Sequence, residues 1–144
     1  METKIFICFA IFTLLYAFIE TRHDVNVIFN DKGWCSFSRR WHNYGMIQNA
    51  LTFLAPSLIL CLVLKPYLAI LLFLMNGALF WQLHDSLIGW RLYHAPFYLG
   101  DHGLDKWFRQ VFWNGRTVAI IRIIFIGCCI EEYFRVAYGF YEIF

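Results

Sequence analysis

The stretch MIQNALTFLAPSLILCLVL, residues 46–64, carries the clearest structural signal in the chain. It is apolar apart from four uncharged polar residues, Gln48, Asn49, Thr52 and Ser57. A helix needs about 20 mostly apolar residues to cross the hydrocarbon layer of a bilayer, with every backbone polar group bonded internally. Pro56 is compatible with such a helix because neighbouring groups can satisfy the freed carbonyl. We therefore predict a transmembrane helix over residues 46–64.

A second apolar stretch follows the first almost at once. Lys65 and Pro66 break the chain after residue 64, and residues 67–93 are then apolar over most of their length. Because the break is so short, the two helices have to lie side by side. The sequence therefore predicts a helical hairpin from residues 46–64 and 67–93.

Two further segments approach the length of a span. The apolar part of residues 5–22 covers about 22 Å at 1.5 Å per residue, which is also the length of a signal-peptide core. Phe18 and Ile19 stand where a cleavage site needs small residues, so we predict a retained helix. Residues 117–140 are apolar up to residue 130 apart from Arg122, and we predict that they form the fourth span.

The composition agrees with a membrane location. Of the 144 residues, 60% are hydrophobic and 15% are charged, whereas soluble domains carry about a quarter charged residues. The net charge of +2 and the lack of a basic run longer than Arg39-Arg40 argue against a nucleic-acid partner. We predict an all-α, polytopic helical membrane protein with about four transmembrane helices, folded as a single domain over residues 1–144.

Residues 102–114 predict a different kind of helix. Its apolar residues recur at helical spacing, with charged and polar residues opposite them; they are Leu104, Trp107, Phe108, Val111 and Phe112. Asp101 could cap the start of this helix and Gly115 could end it. The pattern favours an interfacial amphipathic helix in the headgroup layer, and a short helix packed on the end of the bundle is the alternative.

The connection after the first predicted span has a pattern of its own, and the positive residues of the chain indicate its topology. Residues 25–29 alternate between apolar and polar types, which is typical of a short strand or an interfacial loop. With four spans, eight positive residues fall on the side of the long loops and three on the other side. The positive-inside rule then predicts that the long loops are cytoplasmic and that both termini lie on the opposite side of the membrane.

His84 and Asp85 are the strongest candidates for a functional site. Ionisable residues within a span are costly to bury and usually face the protein interior. His84 shares a helix face of roughly 80° with Asn76, Arg91 and His94, and Asp85 lies about 100° beyond it. We predict His84 and Asp85 as catalytic residues in a polar cluster near the cytoplasmic end of the bundle.

A metal site is the most specific chemistry that this cluster suggests. Glu20 and His23 are three residues apart, which is the Glu-x-x-His spacing of metal sites in helical bundles. The motif occurs once, so a single divalent metal fits better than a pair. We predict its ligands among Glu20, His23, His84 and Asp85. Haem held by two histidines is an alternative, and an inward-facing Arg122 would compete with a metal for the carboxylates.

Three classes of function remain open at this stage. The first is a membrane protein that uses a metal or haem site on a lipid-like substrate. The second is a non-enzymatic membrane subunit or assembly factor that packs against partner helices or a second copy of the chain. The third is an oligomeric pore, since four helices hardly enclose a conduit alone. For the polar cluster itself, the alternatives to a metal or haem site are a hydrogen-bonded network that fixes helix packing and a site that handles protons or ions.

Overall fold

Five α-helices make up the described part of the chain. The computed structural model describes residues 1–30, 34–97, 103–112 and 114–139, without the side chains of residues 28–30, 34–44, 46, 103–105 and 109. The helices are α1 (Glu2–Asn30), α2 (Trp34–Leu60), α3 (Pro66–Tyr93), α4 (Gly103–Phe112) and α5 (Gly115–Ala137). Most of the described residues are helical, and the described ranges contain no strand. The prediction of an all-α fold is thus confirmed.

The first helix continues well beyond the predicted residues 5–22. It runs without a break to Asn30, so a strand over residues 25–29 is wrong. Thr21, Asp24 and Val25 fall at helical spacing and are all buried against the bundle. Packing along this helical face outweighs the local alternation, because burial of side chains on one face stabilises whichever conformation presents them together.

The ends of α3 and α5 follow from local chemistry. Pro66 occupies the first turn of α3, and His94 ends the helix in the left-handed conformation, with φ at 51° and its N–H donating to the Gly89 carbonyl. Gly115, which was predicted to end the amphipathic helix, instead opens α5. The Asn114 side chain caps α5 by accepting a 2.8 Å hydrogen bond from the Thr117 backbone N–H.

The relative directions of α1, α3 and α5 can be read from contacts between side chains. Thr13 contacts Asn76 and Asp24 contacts His84, so α1 and α3 run in parallel. Tyr67 contacts Glu132 and Arg122 contacts Asp85, so α5 runs antiparallel to α3. The helix α3 lies at the centre and packs against α1, α2 and α5.

Two apolar clusters fill the bundle interior. One cluster lies near the start of α3 and includes Phe9, Leu68, Leu72, Met75 and Tyr133. The other cluster joins Ala17, Phe53 and Phe80 nearer the opposite end. Between these clusters Thr13 and Asn76 are fully buried, and the Thr13 hydroxyl donates a 2.6 Å hydrogen bond to Asn76 Oδ1.

The outer surface of the bundle is strongly apolar. Many exposed positions on α1 and α5 carry large aliphatic side chains, among them Ile7, Ile11, Leu15, Ile19, Ile120, Ile123 and Ile124. Two helical segments, Glu2–Val27 and Pro66–Tyr93, are long and apolar enough to cross a membrane, and the apolar segment Ile47–Leu60 is shorter. Two candidate spans are therefore established, against the four that the sequence predicts.

The amphipathic helix α4 packs on one end of the bundle. Its Phe108 ring lies 5.5 Å from the Trp81 ring, whereas Trp107 and Val111 are exposed. One edge of α4 therefore contacts the bundle while another apolar edge stays uncovered. Its location in the headgroup layer stays a prediction.

Candidate functional site

Polar side chains from three helices meet at the end of the bundle where α1 and α3 end. Asp24 comes from α1, His84 and Asp85 from α3, and Arg122 from α5. Asp24 and Arg122 are buried, although they are charged side chains. Asp24 lies on the inward face of α1 because it follows Ala17 and Thr21, both buried, at helical spacing.

The Asp24 carboxylate is held by His84. His84 Nε2 lies 2.8 Å from Asp24 Oδ2, and the two side chains are 16% and 9% exposed. An ionised carboxylate only accepts hydrogen bonds, so Nε2 is the donor in this contact. The imidazole also stacks on the Phe80 ring at a centroid distance of 5.3 Å. The contact with Asp24 therefore fixes the imidazole within its own plane, and the stacking on Phe80 fixes the orientation of that plane.

Asp85 is held by Arg122 in the same region. The Arg122 guanidinium donates a 2.7 Å hydrogen bond from Nη1 to Asp85 Oδ2 and lies 4.1 Å from the centre of the Trp81 ring. Its position over the ring face adds a cation–π attraction to the ion pair. Arg122 thus turns inward, the arrangement expected to compete with a metal for this carboxylate. The other oxygen, Asp85 Oδ1, lies 3.9 Å from His84 Nδ1, which is beyond hydrogen-bond distance.

A second group of side chains surrounds the same Asp24. One ligand atom each from Glu20, His23 and Asp24 lies within 4.8 Å of the others, close enough to share a metal ion. His23 Nδ1 is 3.3 Å from Asp24 Oδ1. The His23 side chain is 60% exposed, so the group opens outward on the side away from the buried Asp24. One imidazole and two carboxylates are a donor set suited to divalent ions such as Zn²⁺, Mn²⁺ or Fe²⁺.

The predicted metal ligands are therefore divided between two places. Glu20 and His23 lie together, as their spacing suggested. His84 contacts their neighbour Asp24 rather than joining the group, and Asp85 pairs with Arg122. The prediction that His84 and Asp85 are catalytic stays a prediction.

Asp24 is the residue that the predicted ligand set lacks. It follows Glu20 at i+4 and His23 at i+1, so a helix extended beyond residue 22 brings it onto the face of Glu20. The sequence signal was the spacing of Asp24 from the residues Thr13, Ala17 and Thr21 on the buried face. Of the other histidines, His94 caps α3, and the side chains of His42 and His102 lie outside the described residues.

Comparison of this chain with protein-family models, with curated protein sequences and with solved protein structures gave no match. The chemistry of the residues at this end of the bundle is therefore the ground for a functional assignment.

Proposed function

We propose that this protein is a multi-pass membrane protein that binds a single divalent metal ion through Glu20, His23 and Asp24. The site lies at the end of the bundle, and its open coordination positions face the headgroup layer, where a lipid-like substrate would reach them. The observation that carries the proposal is the approach of the three ligand atoms to within 4.8 Å of one another.

The distribution of polar and apolar side chains supports the membrane location. Within an apolar stretch of 18 residues in each candidate span, only 17% of the residues of α1 and 39% of those of α3 are buried, whereas the core helix of a soluble protein is mostly buried. Thr13 and Asn76 are fully buried while Ile and Leu side chains cover the outside. This arrangement suits a hydrocarbon solvent, in which polar groups are satisfied between helices and apolar groups face lipid.

The lengths of the helices support four spans. At 1.5 Å per residue, the 27 residues of α2 and the 23 residues of α5 extend about 40 Å and about 35 Å, and the apolar segment Ile47–Leu60 covers about 21 Å of α2. Arg122 within α5 is buried against Asp85 and does not require contact with lipid. Lys65 and Asp85 are 20 residues apart, so the site lies about 30 Å from the α2–α3 turn, at the opposite boundary.

A mononuclear metal fits these side chains better than haem does. A haem between facing histidines needs an imidazole nitrogen free to bind iron. His84 uses Nε2 in its contact with Asp24 and directs Nδ1 towards Asp85. Glu20, His23 and Asp24 already lie together, with one ligand atom each within 4.8 Å of the others, and three protein ligands leave positions for substrate or water.

Metal titration of the purified chain tests the proposal. Protein extracted in mild detergent without chelator is titrated with Zn²⁺ and Mn²⁺, and we expect about one ion per chain. The substitutions Glu20→Gln and Asp24→Asn each remove a charged ligand and should weaken binding by more than about 100-fold. Glu131→Gln makes the same chemical change at an exposed residue of α5 and is the matched control. Equal binding by all of these variants would contradict the proposal.

A second candidate function follows from the ion pairs themselves. Asp24 with His84 and Asp85 with Arg122 place a cationic or hydrogen-bonding partner at each carboxylate, and these contacts link α1, α3 and α5 without any ion. The cluster would then serve only to lock the helices, and the protein would act as a non-enzymatic membrane subunit. Protein that binds no metal but is strongly destabilised by His84→Ala would favour this role. The oligomeric pore stays a prediction.

A further inference from the structure

The two oxygens of the Asp24 carboxylate face different partners. Oδ1 lies 3.3 Å from Nδ1 of His23, one of the two residues that could share a metal ion with Asp24. Oδ2 lies 2.8 Å from His84 Nε2 on the neighbouring helix. A carboxylate that binds a metal through one oxygen is commonly oriented by a hydrogen bond to the other.

We propose that His84 is a positioning residue for the metal centre. It donates from Nε2 to Asp24 Oδ2 and so directs Oδ1 towards the ion, without coordinating the ion itself. This inference rests on the proposed function, in which Glu20, His23 and Asp24 are the ligands.

The position of the His84 ring argues against direct coordination. The two ring nitrogens point in different directions, and each one already faces a carboxylate. Nε2 is 2.8 Å from Asp24 Oδ2, and Nδ1 is 3.9 Å from Asp85 Oδ1. Neither nitrogen belongs to the group of ligand atoms that lie within 4.8 Å of one another.

A series of contacts holds the His84 ring in position to donate to Asp24. Phe80 stacks against the imidazole, and Asp85 next to it is held by Arg122, which itself lies on Trp81. The orientation of a ligand on α1 thus depends on α3 and α5. By linkage, metal binding should stabilise the packing of α1 on α3, and loss of the His84 contact should reduce that stabilisation.

The experiment uses Mn²⁺ as the probe and the full chain in detergent. Electron paramagnetic resonance gives the affinity from the signal of free Mn²⁺, and its pulsed form counts the imidazole nitrogens bound to the ion. We expect one bound imidazole in the wild type, from His23, and none in His23→Ala. His84→Ala should bind Mn²⁺ about 10- to 100-fold more weakly and still show one imidazole.

Two further variants separate positioning from a general structural role. His84→Gln keeps an N–H donor for Asp24 and should retain affinity within a few-fold of the wild type. His94→Asn changes the histidine that caps the end of the same helix, outside the cluster, and asparagine tolerates its left-handed backbone. Affinity should not change in this control.

The possible failures are distinguishable. Two imidazoles in the wild type would make His84 a ligand and overturn the inference, and this readout needs no variant to fold. Wild-type affinity in His84→Ala, with binding lost in Glu20→Gln, would overturn the inference while the proposed function stands. A wild type that binds no Mn²⁺, Zn²⁺ or other divalent ion would overturn both.

Discussion

Asn76 illustrates how single residues hold this bundle together. Its side chain is fully buried between α1 and α3, where Oδ1 accepts from Thr13 and Nδ2 donates to the Leu72 carbonyl at 2.8 Å. A buried amide without partners is costly, because its interaction with water is lost and not replaced. The pair therefore fixes the register of α1 against α3, and with it the approach of Asp24 to His84.

Substitution of Thr13 by Val should weaken this contact. The side chains have nearly the same shape, so the change removes the interhelical hydrogen bond and leaves Asn76 Oδ1 without that donor. We expect a loss of about 1 kcal/mol in the free energy of unfolding, measured by steric trapping in detergent or bilayers. Thr21→Val is the matched control, since the Thr21 hydroxyl is equally buried but donates only within α1, to Ala17. An equal loss in both variants would contradict an interhelical contribution.

At the scale of elements, the junction between α3 and α5 depends on one glycine. A Cβ atom added to Gly115 would lie 1.6 Å from the carbonyl oxygen of Phe97, closer than any contact between real atoms. The start of α5 therefore approaches the backbone beyond α3 closely, and it brings Arg122 within reach of Asp85. Only glycine permits this approach without movement of the backbone.

The substitution Gly115→Ala should separate these elements. We expect a loss of at least about 2 kcal/mol in stability, because backbone must move to relieve the overlap. The matched control is Gly127→Ala in the same helix, where an added Cβ meets no atom within 4 Å. That change should be neutral or stabilising by up to about 1 kcal/mol, since alanine is the better helix former. Comparable unfolding midpoints for the two variants would argue against the close approach.

Sequence periodicity predicts the helices whose own residues set the pattern, without a contribution from contacts with other helices. Apolar length alone indicated the helix over residues 67–93, observed as Pro66–Tyr93, and the spacing of Trp107 and Phe108 indicated α4. The end of α1 could not be predicted in this way. Residues 21–30 have a mixed local pattern, and their helix is explained by the burial of Thr21, Asp24 and Val25 against other helices.

The same distinction applies to the candidate site. The spacing of Glu20 and His23 within one helix was sufficient to bring them together. The pairing of Asp85 with Arg122, and of His84 with Asp24, depends on how α1, α3 and α5 are rotated against each other. No pattern within a single segment contains that rotation. The sequence therefore indicated the end of the bundle where these side chains meet, but not which of them form ion pairs and which form the proposed metal group.

For the whole molecule, the proposed topology places the two ends of the bundle on opposite sides of the membrane. In a background without the native cysteines, we expect Lys65→Cys to react with a membrane-impermeant maleimide in intact cells. Lys106→Cys on α4 should react only after permeabilisation, because the excess of positive residues favours a cytoplasmic location for that end. Both positions are exposed, and Leu72→Cys in the buried interior is the unreactive control. Labelling of both exposed positions from the same side would contradict the topology.

The central position of α3 affects how the protein folds during its synthesis. Asp24 and His84 are separated by 60 residues, so the carboxylate leaves the ribosome long before the imidazole that holds it. At typical synthesis rates of about 5–20 residues per second, this interval lasts roughly 3–12 s. During that time α1 has no α3 to pack against, and the polar groups of its inward face must be kept hydrated or sheltered by the insertion machinery. In the proposed membrane topology, release of α1 into the lipid is therefore best delayed until the third helix has been made.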